Sequence, residues 1–237
     1  MLANEVPFRS LLARPVIVRY DASRLFDHYE TLFWPKGADS VICYTYYDRQ
    51  PGLNLDILAP ARFEDGAIFH KMAPMPVAKV RMIIRPEVYE SCEVKFLSER
   101  DEEQVLKRYS EQRKISDSYW RDNKGLVTML SLEEIDHLRH PQYPLDVQVG
   151  LIDEDGGIER VWMRLEGVTE EGYLTAELLN NPYGSFECAV GDLMALLVTK
   201  DSEGALRLYT RDAMVVDVQG RRMREEYLRK RTQDENL

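Results

Sequence analysis

The chain has 237 residues, 44% of them hydrophobic and 30% charged, with a formal charge of -10 at neutral pH. This is the composition of a globular protein with an ordinary core, in one large domain or two smaller ones. The acidic balance disfavours nucleic acid and anionic lipid, which are bound through Lys and Arg contacts to phosphate.

No run approaches the ~20 apolar residues of a membrane span. The N-terminus MLANEVPFRSLLARP lacks the pattern of a secretory signal. Cys43, Cys92 and Cys188 are odd in number and widely spaced, so neither a disulfide framework nor a zinc knuckle is expected. The cytoplasm is the expected compartment.

In chain order, VIVRY after Pro15 reads as a short strand, and DASRLFDHYETLF reads as a helix. Asp21 or Ser23 caps that helix, and Leu25, Phe26, Tyr29, Leu32 and Phe33 form its apolar stripe. Four β-prone segments follow: SVICYTYY, GLNLDILA, AIFHKM and VAKVRMIIR. In the last, Ala78, Val80, Met82 and Ile84 alternate with Lys79, Arg81 and Arg85, the pattern of a half-buried antiparallel strand. Breaks at Gln50-Pro51-Gly52, Glu64-Asp65-Gly66 and Pro74-Met75-Pro76 suit hairpin connections.

Residues 98–114 are charge-rich, with Val105, Leu106 and Tyr109 as the apolar stripe of a solvated helix. SLEEIDHLRH reads as a second short helix, with Ser131 and Glu134 placed for a capping box and Pro141 and Pro144 ending it. From Asp146 the chain becomes a series of short strands. DVQVGLI meets an Asp155-Gly156 hairpin signal, with positive φ expected at both positions. IERVWMRLEG directs Val161, Met163 and Leu165 inward; YLTAELL follows.

LMALLVTK, apolar on both faces, reads as a central strand, and ALRLYT completes the set. Five short strands with regular turn signals make a small curved barrel. Between Leu179 and Leu193, NNPYG and AVGD read as corner chemistry, with Pro182 and Gly184 at the second and fourth positions of a β-turn and Gly191 needing positive φ. The tail from Gln219 has a basic excess and Met223, Tyr227 and Leu228 at helical spacing.

The expected fold is α+β: an N-terminal antiparallel sheet with covering helices over 1–113, a helical connector over 114–145, a small SH3-like curved β-barrel over 146–218, and a C-terminal basic helix or tail over 219–237.

The stretch VGLIDEDGGIERVWMRLEG, then GYLTAELLNNP and VGDLMAL, resembles a bacterial domain family of unknown function, the YegJ-like group, over roughly residues 146–212. The shared features are an opening Val-Gly, a Trp-centred strand, a Leu-Leu-Asn-Asn-Pro corner and a Gly-Asp strand start. Where members of that group often carry Asp-Trp, this chain has Arg207-Leu208-Tyr209-Thr210. The resemblance implies a fold module fused to an N-terminal α+β domain, and a bacterial origin. It implies no reaction. Some bacterial modules of this kind look like immunity proteins, whose acidic side chains would block a basic toxin surface.

Candidate chemistry is sparse. Glu133, His137 and His140 have the residue types and helical spacing of a metal site, and they are the basis of an alternative reading as a metal-dependent hydrolase. His140 precedes Pro141, which pushes it away from helical geometry. Cys188 and Ser185 lack a nucleophile's context, and Asp153, Glu154 and Asp155 lack the spacing of a calcium loop. No cofactor is expected. Trp162, Arg164, Tyr173, Thr175, Glu177, Arg207 and Tyr209 alternate opposite the apolar set and are expected on one outward face. Trp, Tyr and Arg are the usual anchors of protein interfaces. The face is expected either to be covered by the N-terminal domain or to meet a partner, and the overall expectation is a non-enzymatic module that binds another protein.

Overall fold

The computed structural model describes residues 1–20, 38–63, 81–169 and 171–216. The expected helix over 21–33, the strand over 67–72, the turns near 65 and 75, and the basic tail from 219 all lie outside these residues. The chain divides into two units. The first holds residues 1–123 and 141–143, and the second holds 124–140 and everything from Pro144. The stretch 114–145, read as a connector, is thus shared between them.

The first unit is an antiparallel sheet of β1 (Pro15–Val18), β2 (Ser40–Asp48), β3 (Gly52–Ala61), β4 (Ile83–Ile84) and β5 (Val94–Phe96). Their order across the sheet is β4-β3-β2-β1-β5. The expected pattern around β4 holds where it is described: Met82 and Ile84 are buried while Arg81 and Arg85 take the other side.

Short helices α1 (Phe8–Leu11) and α2 (Pro86–Tyr89) flank the sheet, and the Tyr89 hydroxyl donates to the Leu53 carbonyl. The charge-rich stretch forms two helices rather than one, α3 (Glu99–Arg108) and α4 (Ser110–Ser118), broken where Tyr109 takes φ -104 and ψ 30. Ser98 caps α3 by accepting from the Asp101 N–H, and the acidic first turn and basic last turn both suit its dipole.

Strands β2 and β3 are buried on both faces. The face carrying Tyr44, Tyr46, Asn54 and Asp56 is polar and lies under α4. Tyr44 donates to Asp117 at 2.8 Å, and Ser116 donates to Asp56 at 2.7 Å. Burying these groups is tolerable because most are paired.

The second unit begins with α5 (Lys124–Ser131) and a 3₁₀ turn over Glu133–Leu138. The expected capping box is not formed. Ser131 is the last residue of α5 and donates to the Thr128 carbonyl, while Leu132 precedes the 3₁₀ turn without a side-chain cap. Arg139 holds this segment together, donating to the carbonyls of Met129, Leu132 and Pro144 and to Asp136.

The rest of the unit is a closed barrel of β6 (Asp146–Ile152), β7 (Ile158–Val168), β8 (Leu174–Leu178), β9 (Leu193–Lys200) and β10 (Leu206–Arg211), in the order β10-β6-β7-β8-β9. All pairs are antiparallel except the closing one, where β10 runs parallel to β6. Val147, Val149, Leu151, Val161, Met163 and Leu165 point inward, as alternation demands.

Two expectations fail in detail. The hairpin between β6 and β7 has positive φ at Gly156 alone, because it spans residues 153–157 and the Asp153 backbone N–H bonds back to the Gly157 carbonyl. Strand β9 is apolar on both faces for another reason than a central position. Ala195, on its outer face, is covered by Met214 and Val216, with Leu193 and Leu197 packed around them. Among the described residues no helix is long and apolar enough to cross a membrane.

Candidate interaction face of the barrel

The outward residues of β10, β6, β7 and β8 fall into rows set by strand register. Asp146 lies opposite Arg164, which lies opposite Glu177. Gln148 lies opposite Trp162, and Gly150 sits between Arg160 on one side and Tyr209 on the other. Trp162, Arg164, Glu177 and Tyr209 therefore occupy adjoining strands of one outer surface, and Arg207 is two residues before Tyr209 on the same side. Tyr173 stands apart, just before β8, in a turn where its N–H meets the Thr169 hydroxyl at 3.2 Å. Thr175 faces outward too, yet it is buried.

These side chains differ in what they leave available. Arg164 grips Asp146 through two hydrogen bonds of 2.7 and 2.9 Å, and Arg207 pairs with Asp201 at 2.9 Å. Both guanidinium groups thus have internal anions. Trp162 is half-buried, with the His140 ring edge-on at 5.6 Å. Tyr209 lies across Gly150. A Cβ at that glycine would sit 2.6 Å from the tyrosine ring, so the missing side chain makes room for it. Ile158 flanks the same glycine and is 60% exposed, and Arg160 is exposed as well.

The corner between β8 and β9 continues this surface. Beyond the last β7–β8 register pair, the Leu179 N–H bonds to the Trp162 carbonyl and Asn180 accepts from the Trp162 N–H at 2.7 Å. The Glu159 carboxylate accepts two successive backbone N–H groups, from Tyr183 at 2.8 Å and Gly184 at 3.0 Å. Gly184 therefore donates to Glu159 rather than closing a turn onto Asn181.

Asp212 clasps the next stretch, accepting from Glu187 at 2.8 Å and Cys188 at 3.1 Å. Asp192 accepts from Ala189, and Gly191 takes the expected positive φ of 91°. Asn180 and Asp192 thus serve the backbone. The Tyr183 side chain, at the apex, is 99% exposed. Sequence reasoning missed Tyr183 as a surface residue, Glu159 as its support and Asp212 as the clasp of Glu187 and Cys188.

The residues weighed for catalysis take structural places. His137 Nε2 lies 2.9 Å from the Leu206 carbonyl, and His140 faces Trp162, so the two rings have separate neighbours. Among the described residues, no group of three or more His, Cys, Asp or Glu is placed to hold a metal ion. Cys188 is buried, and desolvation with Asp212 beside it pushes its thiol up to about 12, far from a reactive thiolate. Asp153 accepts the Gly157 N–H of its own hairpin at 2.6 Å.

The chain matches no protein-family model, no curated protein and no solved structure.

Proposed function

We propose that this is a bacterial cytoplasmic protein that acts by binding another protein, without catalysis, through the outer surface of the barrel. The observation that carries the reading is the continuous set of Ile158, Arg160, Trp162 and Tyr209 on β7 and β10, with Ile158 60% exposed at its margin. Large apolar and aromatic side chains standing on rigid strands are the residues that dominate binding energy at interfaces. An immunity-type role is one form this binding would take.

The test is a complex reconstituted from the purified chain and a purified candidate partner, titrated with the wild type and with Ile158→Glu. A 1:1 complex weakened at least roughly tenfold by that substitution, with an unchanged melting temperature, supports the reading. A complex indifferent to Ile158→Glu and to Trp162→Ala sinks it.

A further inference from the structure

We infer that the 180–192 corner is the anchor of that surface, and that its partner is a cationic protein segment offering an apolar socket for Tyr183. The inference rests on the protein-binding reading and adds a site and a partner chemistry to it.

Three observations combine. The first is the presentation of Tyr183. A side chain that is 99% exposed gains nothing from its own fold, yet its backbone is fixed by Glu159 on one side and the corner is fixed by Asp212 and Asp192 on the other. An aromatic with its main chain already ordered loses little conformational freedom on binding, which is the condition for an effective anchor.

The second is continuity. Glu159 lies between Ile158 and Arg160 on β7, so the clasp that holds Tyr183 brings the corner beside the exposed end of the strand face. Val190, 51% exposed, lies on the same corner. Asn180 and Glu159 thus tie the corner along the length of β7 that carries Ile158, Arg160 and Trp162.

The third is charge. Residues 146–216 contain 14 Asp and Glu against 5 Lys and Arg, a formal charge of -9 out of the chain's -10. Two of those five cations, Arg164 and Arg207, are paired with Asp146 and Asp201. The acids nearest the corner, Glu159, Asp212 and Asp192, accept backbone N–H groups. Their field extends past the surface, and Asp155, Glu154 and Glu187 add to it from adjacent loops. A second copy of this chain would bring like charge to the same face. A basic segment would bring the opposite charge and gain in encounter rate and register.

The experiment uses the full chain as bait for a phage-displayed random peptide library, followed by titration of the enriched synthetic peptides. Expected are peptides of net positive charge that carry an aromatic or aliphatic residue. Their affinity should fall at least roughly tenfold with Tyr183→Ala and weaken steadily as salt is raised from about 50 to 500 mM. Tyr183→Ala should leave the melting temperature unchanged, since that side chain supports nothing. Neutral or acidic peptides that still lose binding with Ile158→Glu overturn the inference and leave the face reading standing. Cationic peptides indifferent to Tyr183→Ala overturn it as well. Peptides that depend on neither Tyr183 nor Ile158 overturn both.

Discussion

Arg81 donates to the Asp56 carboxylate at 2.9 Å in a place where Asp56 is only 1% exposed. The same guanidinium reaches Ser116 at 2.8 Å and lies over the rings of Tyr46 and Tyr119, at 5.0 and 5.1 Å. Ser116 in turn donates to Asp56, so one acid, one base and one hydroxyl close a ring of contacts between β3, α4 and the approach to β4. Removing the acid alone would leave a largely buried cation. Asp56→Ala should therefore destabilise the protein by about 3 kcal/mol, read by urea unfolding.

The same pair sets a pH dependence. Burial is the largest influence on Asp56 and raises its pKa above the ordinary carboxylate value, against the opposing pull of Arg81 and Ser116. A raised folded pKa means the native state holds this proton more tightly than the unfolded chain. The group's stabilising contribution is therefore complete below the unfolded pKa, near 4, and is lost as pH rises through the folded value. Relative to wild type, Asp56→Asn should be most destabilising at acid pH and progressively less so toward neutrality. A penalty that grows with pH would contradict this account.

Arg139 makes a different kind of prediction. Its side chain is 1% exposed and supplies the donors for three backbone carbonyls at the end of α5 and the start of the barrel. Arg139→Met keeps much of the volume and leaves those acceptors without a donor, at about 1–3 kcal/mol each if none is rehydrated. A loss of several kcal/mol in the unfolding free energy is expected. Arg139→Lys should recover only part of it, because an ammonium cannot span the same fork.

Gly191 tests the corner. A Cβ there would meet nothing within 4 Å, so any penalty comes from the backbone, which sits at φ 91°. Gly191→Val should lower stability by about 1–3 kcal/mol, and Gly191→Ala by less. An unchanged midpoint in urea for the valine variant would show that the corner adopts another conformation.

Replacing His137 and His140 together with Ala should leave bound metal, measured by elemental analysis, unchanged from wild type. The expected effect is a small loss of stability, from the His137 contact with the Leu206 carbonyl and the His140 contact with Trp162. Loss of a stoichiometric metal on this change would revive the hydrolase reading.

The barrel was legible because strands announce themselves by local alternation. Val161, Met163 and Leu165 face inward whatever the rest of the chain does, and Gly191 marks its own turn. What stayed hidden were pairings across distance. Glu159 meets Tyr183 from 24 positions away, Asp56 meets Arg81 from 25, and Ser116 meets Asp56 from 60. No local pattern encodes such partners. In GLNLDILA, nothing local shows that Asn54 and Asp56 lie under α4, where they are buried. Strand β9 misled in the opposite direction: its apolar outer face answers to Met214 and Val216, some twenty residues downstream, and not to a place in the middle of a sheet. Residues 131–140 were misjudged because three acids within them, with Pro141 and Pro144 just beyond, allow a 3₁₀ turn as readily as a capped α-helix.

Parallel pairing of β10 with β6 joins the last barrel strand to the first, so every strand has a neighbour on both sides. Closing the ring pairs each strand on both sides over part of its length, which shortens the runs of edge N–H and C=O groups open to an incoming peptide. Recruitment by strand addition, which needs a long exposed edge, is thereby disfavoured at this barrel. Binding through the proposed face would then rest on side chains more than on backbone pairing, so a single surface substitution could redirect it without touching the fold.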